Sequence, residues 1–215
     1  AGRVQSVTVR LVVERERDIE SFIPEEYYKI VGDFDVEGRS LKADYNTKIK
    51  SNEEAQRIFQ ALQGNEIYTV SKLETKPFKR KPSAPFTTST LQQEASRKIG
   101  FSPSKTMMVA QRLYESGAIT YMRTDSVHLS DFAMEGIKNE INDEFGSKYY
   151  KSRSFSVKSK GAQEAHEAIR PTDFTLSEVD SAENDERRLY QLIWKRTVSS
   201  QMADAQLERS KVFVE

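Results

Sequence analysis

The chain contains no cysteine. Disulfides, thiolate metal sites and thiol redox chemistry are therefore excluded, and a cytosolic protein is compatible with that absence. It also lacks an excess of either charge: 33 Lys and Arg stand against 33 Asp and Glu, a formal net charge of +0. No global field announces a polyanionic partner, so any contact with nucleic acid has to come from local patches. No apolar run approaches the roughly 20 residues that cross a bilayer, no signal peptide opens the chain, and no internal repeat is visible. What remains is a 215-residue chain with 37% apolar residues, enough for a modest core in one large domain or two small ones. Ala1-Gly2-Arg3 is no natural start, which leads us to expect a piece of a longer polypeptide.

The pattern is mixed along the chain. Val4 to Phe22 reads as a helix, with Val7, Leu11, Ile19 and Phe22 recurring near helical spacing and mixed-sign charges three and four apart, ended by Pro24. Residues 27–31 and Asp33 to Glu37 read as extended, Gly38-Arg39-Ser40 as a turn, and Leu41 to Lys50 as the return of a hairpin. Ser51 with Glu54 predicts a helix start and Gly64 its end, before a strand at Ile67 to Val70. Lys76 to Pro85 interleaves basic residues with prolines and reads as a solvated crossing segment. Helical signals then dominate. Ser89 with Gln92 caps one helix that stops at Gly100, and Ser102-Pro103 opens another, with Met107, Ala110, Leu113 and Tyr114 inward and Gly117 as its stop. Ser130 caps a third, carrying Met134, Ile137, Ile141 and Phe145. A basic, serine-rich loop runs from Lys148 to Gly161, a short helix surrounds His166, a longer one covers Asp185 to Val198, and Lys211 to Val214 is a strand.

The stretch that organises these elements is Gly117 to Ser126, GAITYMRTDS. A short apolar strand leads into a polar turn, and its alternation puts Ile119, Tyr121 and Arg123 on one side. A phenol titrates near pH 10, so near neutrality it acts as a nucleophile only with a cation beside it, and the arginine fork matches phosphate oxygens. For an isolated Tyr-x-Arg the ordinary reading is a core tyrosine and a solvated arginine.

The whole decapeptide, however, resembles the active-site segment of the type IA DNA topoisomerases, and among them the bacterial topoisomerase I group. The resemblance is extended by Ala84 to Gln93 (APFTTSTLQQ), by Glu164 to Thr172 (EAHEAIRPT) and by Gly2 to Ser6 (GRVQS), and so covers essentially the whole chain. It implies an α+β fold: a β-rich arch segment at 25–82 with a returning segment at 201–215, a mainly helical domain at 83–200 carrying the active-site tyrosine, and, at 1–24, the helical tail of a neighbouring single-strand-binding domain. It implies Tyr121 as nucleophile toward single-stranded DNA, held by a 5′-phosphotyrosine link, with Arg123 and His166 as its catalytic companions. Gly2, Arg3, Gln5, Arg123, Thr124, Ser126 and Arg170 are the implied DNA contacts. Magnesium belongs, on the same resemblance, to a separate Toprim domain of the intact enzyme. That domain is a partner of this chain, no metal or other cofactor is expected within the 215 residues, and the setting is the cytoplasmic nucleoid.

Other constellations weigh less. Asp33, Asp35 and Glu37 share the letters of the family's metal-binding acids, but they follow the Gly2 to Ser6 match where the family's acids precede it. They read better as the polar face of a hairpin with Phe34 and Val36 inward. His128 reads as a surface histidine, and Thr124 and Ser126 as turn caps and phosphate donors. A tyrosine recombinase or type IB enzyme places its tyrosine after a His-x-x-Arg element; here the spacing is His-x-x-x-Arg and follows the tyrosine. A non-catalytic DNA- or partner-binding helical module stays open, and a Tyr121 buried among apolar side chains is the observation that favours it.

Overall fold

The backbone ladder of the first helix, α1 (Arg3–Ser21), closes with the Phe22 N–H on the Ile19 carbonyl, and Arg10 and Glu14 pair across one turn at 2.7 Å. The spacing of its charges had indicated the pairing, and Pro24 the end. Its apolar residues Val7, Leu11, Ile19 and Phe22 are all exposed. The periodicity makes the helix amphipathic, but burial needs a second surface, and none among the described residues covers that stripe. The computed structural model describes residues 2–64, 67–156, 166–180 and 183–215, with Arg3 described by its backbone alone. No helix among them is long and apolar enough to cross a membrane.

The chain divides into two compact units, Ala1–Glu74 with Ser210–Glu215, and Thr75–Arg209. In the first, β1 (Val31–Val36) and β2 (Arg39–Asp44) form an antiparallel hairpin in the register Val31↔Asp44 to Val36↔Arg39. The turn sits at Glu37-Gly38, earlier than Gly38-Arg39-Ser40, because both central residues of a two-residue hairpin loop take positive φ. Here those angles are 52° and 77°. Arg39 and Ser40 thus belong to the strand. Phe34 packs edge-on against Tyr68 at 5.0 Å, whereas Val36 is exposed. Helix α2 (Asn52–Gln63) is capped by Ser51, whose hydroxyl accepts from the Glu54 N–H, and it buries Ala55.

Strand β3 (Val70–Arg80) pairs with β4 (Ala205–Val214) in a second two-stranded sheet, closed at one end by reciprocal bonds between Thr69 and Glu215. The basic stretch Lys76 to Arg80 is therefore strand and not linker. A two-stranded ribbon has only edges, and an edge tolerates Pro77.

The second unit is helical. α3 (Thr88–Ile99), α4 (Pro103–Glu115), α5 (Asp131–Glu144) and α6 (Asn184–Ser200) pack with α6 against the other three and α3 against α4. Leu189, Tyr190, Ile193 and Val198 of α6 meet Leu91, Val109, Leu113, Ile137 and Ile141 in one buried cluster. Each large apolar side chain buried there stabilises by about 1.5–3 kcal/mol. α3 starts earlier than Ser89 suggests, because Thr87 accepts from the Thr90 N–H and Thr90 reaches back to the Thr87 N–H. Tyr114 and Phe145, expected inward, are exposed. A short 3-10 turn, Ser147–Tyr149, follows α5.

Candidate active site

Three segments distant in sequence meet where the cluster opens to solvent. The extended stretch around Ile169 is the middle one. Ile169 bridges Phe86 on one side, and Pro171 bridges Ile119 on the other. The bonds that tie them include Ile169 N–H to Phe86 O at 2.8 Å, Thr120 N–H to Arg170 O at 2.9 Å and Thr172 N–H to Ala118 O at 3.1 Å. The helix expected around His166 is thus absent from the described part of this motif, since pairing on both sides holds residues 168–171 extended. Glu164 and Ala165 lie outside the described residues.

α4 delivers the chain to the site. Gly117, at φ 77°, ends it in the left-handed conformation, and Ala118 N–H returns to Leu113 O. From Tyr121 to Ser126 exposure then alternates: Tyr121, Arg123 and Asp125 face solvent while Met122, Thr124 and Ser126 are buried. The pleat therefore does put Tyr121 and Arg123 on one face, but Ile119 points into the core at 1% exposure and does not share it. The expected strand shrinks to one isolated bridge at Ile119, because the polar turn offers no ladder to continue. Tyr121 is 46% exposed, its ring resting edge-on against Tyr114 at 5.2 Å.

Two open hollows adjoin along this face. One is lined by Thr120, Tyr121, Thr124, His166 and Glu167. The other is lined by Thr87, Thr88, Ser89, Arg123, Thr124, Asp125 and His166. Thr124 and His166 border both. The second contains the N-terminus of α3, whose amides and dipole favour an anion.

Behind the hollows the remaining polar residues are engaged. Thr124 Oγ1 accepts from the Ser126 N–H and Ser126 Oγ from the His128 N–H, so both act as turn caps. His128 is exposed, with its carbonyl accepting from Ala168 N–H. Arg170, expected to contact DNA, is only 8% exposed. It donates to Glu167 at 2.5 Å and to the Pro171 carbonyl, and it lies over the Phe174 ring. Its fork faces the protein. Glu167 also accepts from the Ser130 N–H at 2.7 Å, which anchors the start of α5. Burial pushes the Glu167 carboxyl up, but the hydrogen bonds from Arg170 and Ser130 prevail and hold it below the usual carboxylate range. Arg153, in the basic loop, pairs with Asp204 and donates to the Met202 carbonyl, so its charge too is internally matched. Residues 157–161 of that loop lie outside the described residues. In α1, the Gln5 side chain accepts from the Gly2 N–H; the Arg3 side chain is outside the described residues.

Sequence reasoning overlooked Thr88, Thr120 and Glu167. Thr120 Oγ1 donates to the Ala168 carbonyl and accepts from the Arg170 N–H, which fastens the tyrosine segment to the histidine segment. All three lie in or beside the quoted motifs, but only the pairing reveals which backbone groups they serve. In β1, Asp33 accepts from the Ser40 hydroxyl and Asp35 from the Gly38 N–H, as a hairpin turn uses them. Among the described residues no three His, Asp or Glu side chains converge.

Known proteins resemble this chain throughout. DNA topoisomerase 1 of Zymomonas mobilis is 47% identical over 224 residues, covering 99% of this chain and 18% of that protein. The Pseudomonas aeruginosa protein of that name is 47% identical, covering 100% and 26%, and that of Escherichia coli 44%, covering 100% and 26%. The solved structure of full-length topoisomerase I from Thermotoga maritima superposes with a TM-score of 0.73 at 39% identity, covering 100% of this chain and 36% of that one. The chain therefore spans only about a fifth to a quarter of the curated relatives it matches. Since the DNA topoisomerase family model matches residues 1–215, every position of the sequence, this chain belongs to the DNA topoisomerase family.

Proposed function

We propose that the chain is the nucleophile-bearing part of a type IA DNA topoisomerase, acting on single-stranded DNA. The observation that carries this is the shared solvent face of Tyr121 and Arg123, each lining one of two hollows that meet at Thr124 and His166. In this reading the Tyr121 oxygen bonds to phosphorus as the phenol proton leaves to water. The bond from phosphorus to the 3′ oxygen breaks, and that oxygen takes a proton from water and departs as a hydroxyl. Arg123, with His166 across the shared rim, stabilises the charge that develops on the phosphoryl oxygens. The phosphotyrosine link conserves the energy of the broken ester, so the 3′ hydroxyl can attack back after strand passage with no nucleotide cofactor. Thr124 and Ser126 shape the turn beneath the phosphate, and Gly2, Arg3 and Gln5 are further DNA contacts carried over from the family resemblance. Arg170 acts through Glu167 and not on DNA. Magnesium, where the resemblance implies it, is assigned to a Toprim domain outside these 215 residues, and no step here runs through it. The arch at 25–82 and 201–215, the helical domain at 83–200 and the tail at 1–24 belong to the same proposal.

The competing reading, a non-catalytic binding module, required a Tyr121 buried among apolar side chains; its 46% exposure speaks against that. The test uses the full-length enzyme that carries this sequence, incubated with a labelled single-stranded oligonucleotide and trapped by denaturant. A covalent adduct is expected from the unsubstituted enzyme and none from Tyr121→Phe, which loses only the hydroxyl. An adduct from the Phe variant sinks the assignment.

A further inference from the structure

Arg123 is held by a residue far from it in sequence. The hydroxyl of Thr88, the first residue of α3, donates to the Met122 carbonyl at 2.8 Å. It also lies 3.1 Å from the Thr124 carbonyl and accepts from the Thr124 N–H at 2.9 Å. The Thr88 N–H itself donates to the Thr124 carbonyl at 2.9 Å. The Met122 carbonyl belongs to the peptide unit before Arg123, and the Thr124 N–H to the unit after it. Peptide units are planar, so one hydroxyl that grips both planes sets the φ and ψ of Arg123. Met122, 4% exposed, anchors the same stretch from below.

This is not helix capping. Thr87 caps α3 by accepting from the Thr90 N–H, while the Thr88 hydroxyl makes its bonds to a segment 34 and 36 residues away. We infer that Thr88 is a positioning residue for Arg123: its hydroxyl fixes the backbone from which the guanidinium reaches the phosphate. The inference rests on the topoisomerase reading above and adds to it a residue whose role is exerted through another. A planar fork needs its backbone aimed, since its two donors must meet two oxygens together.

The experiment compares Thr88→Val, which keeps the shape and removes the hydroxyl, with Thr88→Ser, which keeps the hydroxyl. Both are made in the full-length enzyme, alone and combined with Arg123→Lys, and single-turnover cleavage is read beside oligonucleotide affinity and thermal midpoint. We expect Thr88→Val to slow cleavage on the order of tenfold with affinity and midpoint nearly unchanged, because misaimed groups cost rate. Thr88→Ser restores most of it. In the Arg123→Lys background Thr88→Val slows cleavage less than about twofold, since a flexible ammonium does not depend on a fixed plane. Cleavage by Thr88→Val at the parent rate, an equal fractional loss in both backgrounds, failure of serine to rescue, or loss of the folded state in the valine variant each overturns the inference. Tyr121→Phe run in parallel separates the two claims: an adduct from it overturns the functional reading and the role of Thr88 with it. Its inertness leaves the Thr88 result to be judged alone.

Discussion

Two arginines of the quoted motifs have opposite fates. Arg123 faces a hollow, whereas Arg170 spends its fork on Glu167 and the Pro171 carbonyl. For Arg123 we expect replacement by lysine to lower single-turnover cleavage by one to two orders of magnitude, about 1.4–2.7 kcal/mol, since charge is kept but the two-pronged geometry is lost. Equal rates would remove the specific guanidinium role. Two carboxyls, Glu167 half-buried and Glu140 buried, predict opposite pH behaviour. Glu167 is held below its ordinary range, so its contribution to stability is present above the pH where an unfolded glutamate titrates and disappears as pH falls through the lower folded value. Glu167→Gln should therefore cost on the order of 1.5–3 kcal/mol at pH 7, and its deficit against the parent should vanish in acid. Glu140 is the reverse: burial, then the neighbouring Glu144, Asp143 and Asp173, push its carboxyl up. The folded state holds that proton more tightly, so Glu140 weakens the fold as pH rises through the window between the two values. Glu140→Gln is expected to stabilise at pH 7 and to make no difference in acid. Denaturant titrations at both pH values check the pair, and an unchanged gap on acidification counts against either assignment.

At the scale of elements, local signals were legible where the cause is local. Ser51, Ser102 and Ser130 cap the helices they precede, and Gly100 and Gly117 end theirs at positive φ. The elements misread were those made by partners. Residues 168–171 carry a helical-looking spacing but are extended, because Phe86 and Ile119 pair with them from both sides. Lys76 to Arg80 looks like a linker but joins β4. In α5, Gly136 has a tertiary reason: a Cβ there would meet the Phe174 ring at 2.6 and 2.9 Å, and that ring is buried. Gly136→Ala should cost about 1–3 kcal/mol by overpacking despite its better helix propensity. A thermal midpoint equal to or above that of the parent would show that Phe174 yields without strain.

For the whole molecule, the share of the relatives' length bears on what the 215 residues can do by themselves. We expect this chain alone to form no covalent adduct with single-stranded oligonucleotide, with or without magnesium, and to form one once a separately expressed Toprim-bearing piece is added. An adduct before that addition would mean that the chain carries a complete site and that Asp33, Asp35 and Glu37 need reassessment. The sequence by itself determined the long helices, the caps at Ser51, Ser102 and Ser130, the presence of the hairpin, the family and the segment around Tyr121, because each is encoded in contiguous residues. Only the tertiary structure decided that Thr88 grips the backbone on both sides of Arg123, that Thr120 ties Tyr121's segment to that of His166, and that Arg170 turns inward. Those contacts join residues tens of positions apart. The side chains involved are threonines and an arginine whose local patterns fit a cap, a turn or a solvated surface equally well, so burial and pairing had to choose among them.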